Sequence, residues 1–142
     1  MPSIARSALV NHSAAQMYSL VCDIESYPQF LPWCDDTTLI EQSEIHQVAS
    51  VTVDRRLKGI SFTTRNTLSA GKSVHMGLVS GPFKRFGGVW TFKSIDETAC
   101  RVELSMDFEF QSRILGALLG PAFTKICDNM VAAFVKRASA VY

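Results

Sequence analysis

The chain has 142 residues, which is the size of one domain whose apolar core needs no disulfide or structural metal. Apolar residues make up 47% of the sequence and charged residues 19%, and this balance excludes an intrinsically disordered chain. The net charge of +1 excludes a general electrostatic attraction to nucleic acid, so we expect no DNA partner, while a local basic patch remains open.

The first ten residues have neither the apolar run of a signal peptide nor the arginine-rich composition of a transit peptide, so we expect a cytoplasmic protein. The longest apolar run, Ile114 to Phe123, is shorter than the roughly 20 residues that span a bilayer, which argues against an integral membrane protein. The cysteines show no CxxC pair and no histidine at ligand spacing, so we expect no metal site and favour buried, reduced thiols over a disulfide; they are Cys22, Cys34, Cys100 and Cys127.

An edge strand over Ile4 to Val10 and an amphipathic helix are the first predicted elements. Ser13 and Gln16 have the spacing of a capping box at a helix start. We expect the helix to end before Pro28, and its buried stripe consists of Met17, Leu20, Val21 and Ile24. The next segment, YPQFLPWC from Tyr27 to Cys34, combines two prolines with large apolar side chains and predicts a rigid aromatic loop or a broken turn.

From Thr37 to Phe110 the apolar pattern has a period of two, which predicts a run of antiparallel strands. The clearest case is residues 101–110, where apolar residues at even positions alternate with polar residues at odd positions up to Glu109. Turn signals separate the strands at Lys58-Gly59, Ala70-Gly71, Ser80-Gly81-Pro82 and Asp96-Glu97.

After Gln111 the period returns to 3.6, and an apolar stripe of some 25 residues predicts a long C-terminal helix. Pro121 lacks a backbone N–H, so we predict a kink or break near Gly120-Pro121. The whole order of elements indicates an α+β fold with the helices on one side of a curved sheet. The concave space between such a sheet and its long helix is the first place to expect a ligand.

Five segments stand in a characteristic order along the chain: YPQFLPWC (27–34), FTTRN (62–66), GPFK (81–84) with Trp90 and Phe92, FEF (108–110) and MVAAFVKRASAVY (130–142). In this order, these elements and motifs resemble the START-like helix-grip superfamily and, within it, the family of coenzyme Q-binding proteins and ribosome association toxins. The resemblance covers essentially the whole chain as one domain, 1–142, and is strongest to the bacterial RatA branch; Pro121 departs from it. It implies a curved antiparallel sheet of about six to seven strands wrapped around the last helix.

The resemblance implies two functions. The first is non-enzymatic binding of a hydrophobic molecule, ubiquinone or a related prenyl lipid, as a carrier or chaperone in respiration, with no required cofactor. Such a protein would also touch the periphery of the inner membrane, and the surroundings of Trp33 and the start of the last helix are the candidate contacts. The alternative function is binding to the large ribosomal subunit, which blocks its association with the small one.

The candidate ligand contacts are inward aromatic and methionine side chains, because these suit an adaptable cavity for a flat ring and an isoprenoid tail. Taken singly, each apolar member is expected to pack the core, and only the set as a whole favours a cavity; Arg65, the polar candidate for a quinone carbonyl, could equally be solvated. The full set is Tyr27, Phe30, Leu31, Trp33, Phe62, Arg65, Met76, Phe83, Trp90, Phe92, Met106, Phe108, Phe123, Met130 and Phe134.

Basic loop residues are the candidates for contact with ribosomal RNA phosphates: Arg55, Arg56, Lys58, Lys84 and Arg85. An enzyme is the least supported interpretation, because no motif joins the histidines into an acid–base site, and we assign no catalytic residue. Those histidines are His12, His46 and His75, and His75 is predicted to face outward from its strand.

Overall fold

The computed structural model describes residues 3–53 and 60–142. Within these residues the chain forms a strand, a helix, six further strands and a long C-terminal helix, which confirms the α+β class. A short 3-10 helix, Ile24–Gln29, lies between the first helix and the second strand. The elements are β1 (Ser3–Val10), α1 (Ala14–Cys22), β2 (Cys34–Gln42), β3 (His46–Val53), β4 (Ser61–Ser69), β5 (Ser73–Ser80), β6 (Phe83–Asp96), β7 (Ala99–Phe110) and α2 (Arg113–Val141).

The seven strands of the described residues form one curved antiparallel sheet in the order β1-β7-β6-β5-β4-β3-β2. Strands β2 to β7 follow one another in space as in sequence, and β1 pairs with β7, so β1 is an edge strand as predicted. The alternation predicted for β7 is also confirmed, because Val102 and Leu104 are buried while Arg101 and Asp107 are exposed. One face of the sheet is therefore apolar and is covered by the helices.

A capping box opens α1, as its sequence predicts. The Ser13 hydroxyl accepts the Gln16 N–H at 3.1 Å, and the Gln16 side-chain oxygen accepts the Ser13 N–H at 2.9 Å. The α-helix ends at Cys22, and the chain continues after Asp23 as the 3-10 helix, which contains Pro28. The aromatic segment is therefore irregular, as expected, but begins as a short helical turn.

The C-terminal helix α2 has 29 residues and a length of about 43 Å, and the Ser112 hydroxyl caps it by accepting the Leu115 N–H at 3.1 Å. Of the predicted kink or break near Gly120-Pro121, the break is wrong, since the helix continues through Pro121, while the kink stays a prediction. Leu119 and Phe123, which flank the proline, are both buried, and this packing holds the helical turn although one backbone donor is missing.

By length and composition α2 could also cross a bilayer. Core helices of globular proteins share both properties, and α2 buries a stripe that packs against the sheet and α1. The buried residues recur every three or four positions and are Leu119, Phe123, Cys127, Val131, Phe134 and Ala138.

Candidate ligand-binding cavity

A cavity of about 70 Å³ lies between α2 and the apolar face of the sheet. This volume exceeds the space that one water needs and is far below the roughly 300 Å³ at which small-molecule sites begin. A quinone ring would therefore enter only if side chains move. The walls consist of Ile24, Tyr27, Trp33, Ala49, Val51, Phe62, Thr64, Asn66, Met76, Phe86, Trp90, Leu104, Met106, Phe123, Ile126, Cys127, Met130 and Phe134.

Aromatic rings form the rigid part of this wall. The Trp90 and Phe134 rings meet edge to face with their centroids 5.2 Å apart, and Phe62 meets Phe123 at 6.2 Å. Both tryptophans of the sequence, Trp33 and Trp90, line the cavity, so their fluorescence reports on its occupancy.

Methionines form the adjustable part of the wall, because a thioether side chain is flexible and fills irregular space. Met76 and Met106 lie on either side of Gly88, with which each is paired in the sheet. A Cβ atom at Gly88 would lie 2.7 Å from the Met76 methyl carbon and 3.2 Å from Met106 Cγ. The missing side chain of Gly88 therefore gives the two methionines room beside the cavity.

Most of the side chains predicted to contact a ligand line this cavity: Tyr27, Trp33, Phe62, Met76, Trp90, Met106, Phe123, Met130 and Phe134. Phe30, Leu31, Phe83, Phe92 and Phe108 do not line it and pack around it instead. Phe83 and Phe108 support its wall through Phe123, with ring centroids at 5.2 and 4.8 Å. For these five residues, the core-packing alternative describes their position.

Arg65 does not face this space, and the alternative of a solvated strand residue describes its position. Its side chain is 57% exposed, and a guanidinium nitrogen lies 3.8 Å from the Glu41 carboxylate on the outer face of the sheet. In β4 the even-numbered positions are buried, so Thr64 and Asn66 face inward on either side of Arg65.

Further wall residues were not predicted from the sequence, namely Ile24, Ala49, Val51, Thr64, Asn66, Phe86, Leu104, Ile126 and Cys127. Thr64 and Asn66 lie two and four residues after the inward-facing Phe62, so the alternation along the strand could have identified them. Phe86 could not be found in this way, because a bulge in β6 between Phe83 and Arg85 turns two residues of opposite parity inward.

A chain of hydrogen-bonded polar side chains forms one side of the cavity. The Thr64 hydroxyl donates to Asn66 Oδ1 at 3.0 Å, and Asn66 Nδ2 donates to Gln47 Oε1 at 3.0 Å. Gln47 Nε2 in turn donates to the Cys22 carbonyl at 3.2 Å and to Gln42 Oε1 at 3.0 Å. Thr64, Asn66 and Gln47 are all buried, so this polar group is held in an apolar environment.

Among the described residues, the wall contains no Asp, Glu, Lys, Arg or His side chain. Its titratable groups are Tyr27 and Cys127. Burial raises the pKa of the Tyr27 hydroxyl well above its ordinary range, and this hydroxyl donates to the Val21 carbonyl. Burial raises the pKa of the Cys127 thiol to about 12, so both groups are neutral at pH 7 and neither forms an acid–base pair.

The histidines lie away from the cavity wall. His75 is exposed, as predicted, and His46 Nδ1 lies 2.9 Å from the Ser43 hydroxyl. The His12 ring packs against Tyr142 with a centroid distance of 5.8 Å. In the part of the chain that the structure describes, no group of three or more His, Cys, Asp or Glu side chains is placed to hold a metal ion. The cysteines are free thiols, and all are buried except the half-buried Cys22.

Of the basic residues predicted to contact RNA, Arg55, Arg56 and Lys58 lie outside the described residues. Lys84 and Arg85 are exposed next to each other near the start of β6. The Lys84 ammonium lies 3.6 Å from the Glu109 carboxylate. These two side chains are on the surface and do not contribute to the cavity.

The family model described as polyketide cyclase / dehydrase and lipid transport matches residues 10–135. The ribosome association toxin RatA of Vibrio cholerae is 48% identical over all of this chain and 99% of its own length. RatA of Escherichia coli K12 is 44% identical over all of this chain and 90% of its own length. The coenzyme Q-binding protein COQ10 homolog B of Xenopus laevis is 26% identical over 97% of this chain and 58% of its own length.

Solved structures share the fold at low sequence identity. The Zhui aromatase/cyclase of Streptomyces sp. R1128 has a TM-score of 0.84 at 16% identity, with coverage of 97% of this chain and 93% of that one. A START superfamily protein of Mycobacterium smegmatis has a TM-score of 0.82 at 16% identity, with 99% of both chains covered. The chain therefore belongs to the polyketide cyclase / dehydrase and lipid transport family and, within it, to the group of the ribosome association toxins.

Proposed function

We propose that this protein binds a hydrophobic small molecule in the cavity beneath α2 and acts as a carrier or chaperone without catalysing a reaction. The observation that carries the proposal is the wall itself, which is apolar and aromatic, has flexible methionines and lacks charged groups among the described residues. The finer assignment to ubiquinone or a related prenyl lipid is supported by the name of the Xenopus relative and by the aromatic and methionine side chains of the wall.

Apolar burial supplies enough free energy for such a ligand. Each 100 Å² of apolar surface removed from water contributes about 2.5 kcal/mol before the costs of association. A ring and part of an isoprenoid tail would thus bind without a charged partner, provided that Met76, Met106 and Met130 move to enlarge the cavity.

Fluorescence titration tests this proposal. Decylubiquinone added to the purified protein should quench Trp33 and Trp90 saturably, since both line the cavity. Ala49→Leu, which adds three carbons to the wall, should weaken this binding at least about tenfold, the effect of an energetic cost of about 1.4 kcal/mol. Ala5→Leu makes the same change at an exposed strand position and should leave the titration unchanged. Absence of saturable quenching in the unmodified protein would contradict the proposal.

Ribosome association is the second candidate function, and the relatives that are 44–48% identical along this whole chain favour it by their names. The exposed Lys84 and Arg85 could contact phosphates, and so could Arg55, Arg56 and Lys58 of the separate basic segment 55–58 in the sequence. We propose that this basic set binds the large subunit and so opposes its joining to the small one.

Co-sedimentation with large ribosomal subunits tests the second function. Changing Arg55, Arg56 and Lys58 together to Glu should abolish co-sedimentation at low salt, and a Lys84→Glu/Arg85→Glu variant should reduce it. Lys125→Glu/Lys136→Glu changes exposed cations of α2 by the same charge and serves as the control for the second variant. Unchanged co-sedimentation of both test variants would contradict this surface. The two functions can coexist, because one uses the interior and the other the surface.

A protein that exchanges a quinone with a membrane must touch the bilayer. We propose that the first turns of α2 make this contact from the cytoplasmic side, because Ile114 is 80% exposed and Leu118 62% exposed beside the cationic Arg113. Trp33, the other candidate, is half-buried and lines the cavity, so it is less suited to insertion.

A further inference from the structure

The inward face of β4 interrupts an apolar pattern with two polar residues. Phe62, Thr64, Asn66 and Leu68 all face the interior. Thr64 is 7% exposed and Asn66 5% exposed, although burying a hydroxyl or an amide costs free energy unless every hydrogen bond is replaced. Valine and leucine would fill these positions without that cost, so the two polar groups call for a functional explanation.

Backbone carbonyls fix the direction of the hydrogen-bonded chain. The Cys22 carbonyl can only accept, so the Gln47 NH₂ group must point towards it and the Gln47 oxygen towards Asn66. Gln42 is oriented in the same way, because its Nε2 donates to the Ser43 carbonyl at 2.8 Å. Asn66 must then donate to Gln47 through Nδ2 and accept from the Thr64 hydroxyl through Oδ1.

Within the described residues, the hydrogen bonds of the polar side chains do not use every donor and acceptor at the cavity wall. Both hydrogens of Gln47 Nε2 are used, on the Cys22 carbonyl and on Gln42 Oε1. Asn66 Nδ2 uses one hydrogen, and within the described residues its second hydrogen has no acceptor. The Thr64 hydroxyl uses its hydrogen, and no donor in residues 3–53 and 60–142 occupies its lone pairs. Since Thr64 and Asn66 both line the cavity, one donor and one acceptor remain for a ligand.

We infer that Thr64 and Asn66 form a head-group subsite for an oxygen on the ring of an otherwise apolar ligand, a site that rests on the proposed ligand-binding function. A phenolic hydroxyl can accept from the Asn66 N–H and donate to the Thr64 oxygen. A quinone carbonyl can use the Asn66 N–H alone, and a hydrocarbon can use neither. The subsite therefore selects oxygenated rings over hydrocarbons of equal size.

The subsite can be tested with two probes that differ by one hydroxyl group, 4-nonylphenol and nonylbenzene. The affinity of each probe is measured through the fluorescence of Trp33 and Trp90. The ratio of the two affinities cancels effects of cavity shape that both probes share. In Thr64→Val/Asn66→Leu, which is close in shape, the phenol-to-hydrocarbon ratio should fall about tenfold, since the hydroxyl loses its partners. Thr67→Val, on the exposed face of the same strand, should leave the ratio unchanged.

A second measurement needs no variant and covers the case in which the double substitution does not fold. The infrared carbonyl band of decylubiquinone bound to the unmodified protein should lie at lower wavenumber than in hexane, because the Asn66 N–H donates to one carbonyl. An unshifted band, or an unchanged affinity ratio in the folded double variant, overturns the subsite and leaves ligand binding intact. Failure of every probe to bind the unmodified protein overturns both the subsite and the proposed function.

Discussion

Gly88 sets how much space the cavity wall leaves for the methionines. A methyl group there would meet the Met76 methyl carbon at 2.7 Å and the Ser105 carbonyl oxygen at 3.2 Å. Gly88→Ala should therefore push Met76 into the cavity, weaken decylubiquinone binding and lower the free energy of unfolding by about 1–3 kcal/mol. Gly87→Ala is the matched control, since its methyl group would meet the Met76 carbonyl at an ordinary 3.7 Å. Equal effects of the two substitutions in a quinone titration and a urea melt would contradict this role.

The buried thiols make stability depend on alkaline pH. Burial raises the pKa of Cys127 from 9.0 to about 12 and that of Cys34 to about 11, so the folded protein keeps protons that the unfolded chain releases. The resulting stabilisation is fully present below pH 9 and is lost as the pH rises towards 12. Urea unfolding at a series of pH values should show this decline, and Cys127→Ala should make it shallower. An equally steep decline in Cys127→Ala would contradict the assignment.

At single positions in the strands, the even or odd place of a residue in the alternating pattern predicted its inward or outward orientation better than its chemical type did. Phe62, Trp90 and Met106 were expected to face inward from their alternation, and they do. Arg65 was selected as the polar contact for its charge, although parity places it outside and Thr64 inside. The inward orientation of Phe86 could not be predicted, because it depends on a β-bulge for which the local sequence gives no signal.

The aromatic segment before β2, residues 27–33, contacts the C-terminal part of α2. The Arg137 guanidinium lies 5.0 Å from the Phe30 ring centroid and donates to Gln29 Oε1 at 3.0 Å. The same segment supplies Tyr27 and Trp33 to the cavity wall, so this contact holds one side of the cavity in place.

Arg137→Ala should release this segment. We expect faster hydrogen exchange of backbone amides 24–34, faster ligand release and a loss of about 1 kcal/mol in the free energy of unfolding. Lys136→Ala removes a neighbouring cation that points to solvent and should leave exchange unchanged. Exchange in 24–34 that is the same in both variants would show that Arg137 does not fasten the segment.

The start of α2 offers a test of membrane contact. Ile114→Glu/Leu118→Glu places two charges on its exposed apolar surface and should reduce sedimentation with anionic vesicles of phosphatidylglycerol and phosphatidylcholine by more than tenfold. Ile40→Glu/Ile95→Glu, at apolar positions exposed elsewhere, is the control and should sediment like the unmodified protein. Vesicle binding that survives the α2 substitutions would exclude this surface.

Predictions for whole elements succeeded where local signals and packing agreed. The capping box of Ser13 and Gln16 marked the start of α1, and the strict alternation over 101–110 marked β7. The break at Pro121 failed because the sequence shows the missing donor but not the burial of Leu119 and Phe123, which holds the helix together.

At the scale of the whole molecule, a curved sheet and one long helix enclose a small apolar space that has a polar corner. The fold and the family could be inferred from the order of motifs along the chain, because each motif fixes one element of that order. The dimensions of the cavity could not, since its volume of about 70 Å³ depends on how individual side chains such as Met76 and Phe123 pack. This small volume makes ligand occupancy the central question for the molecule.

The most direct measurement is mass spectrometry of an organic extract of the protein purified from its native host, with Ala49→Leu and Ala5→Leu prepared alongside. Ligand binding in the cavity predicts an oxygenated prenyl lipid such as ubiquinone at near-stoichiometric amounts in the unmodified protein and in Ala5→Leu, and a strong loss in Ala49→Leu. Extracts without any such lipid, or with equal amounts in the three proteins, would contradict binding beneath α2.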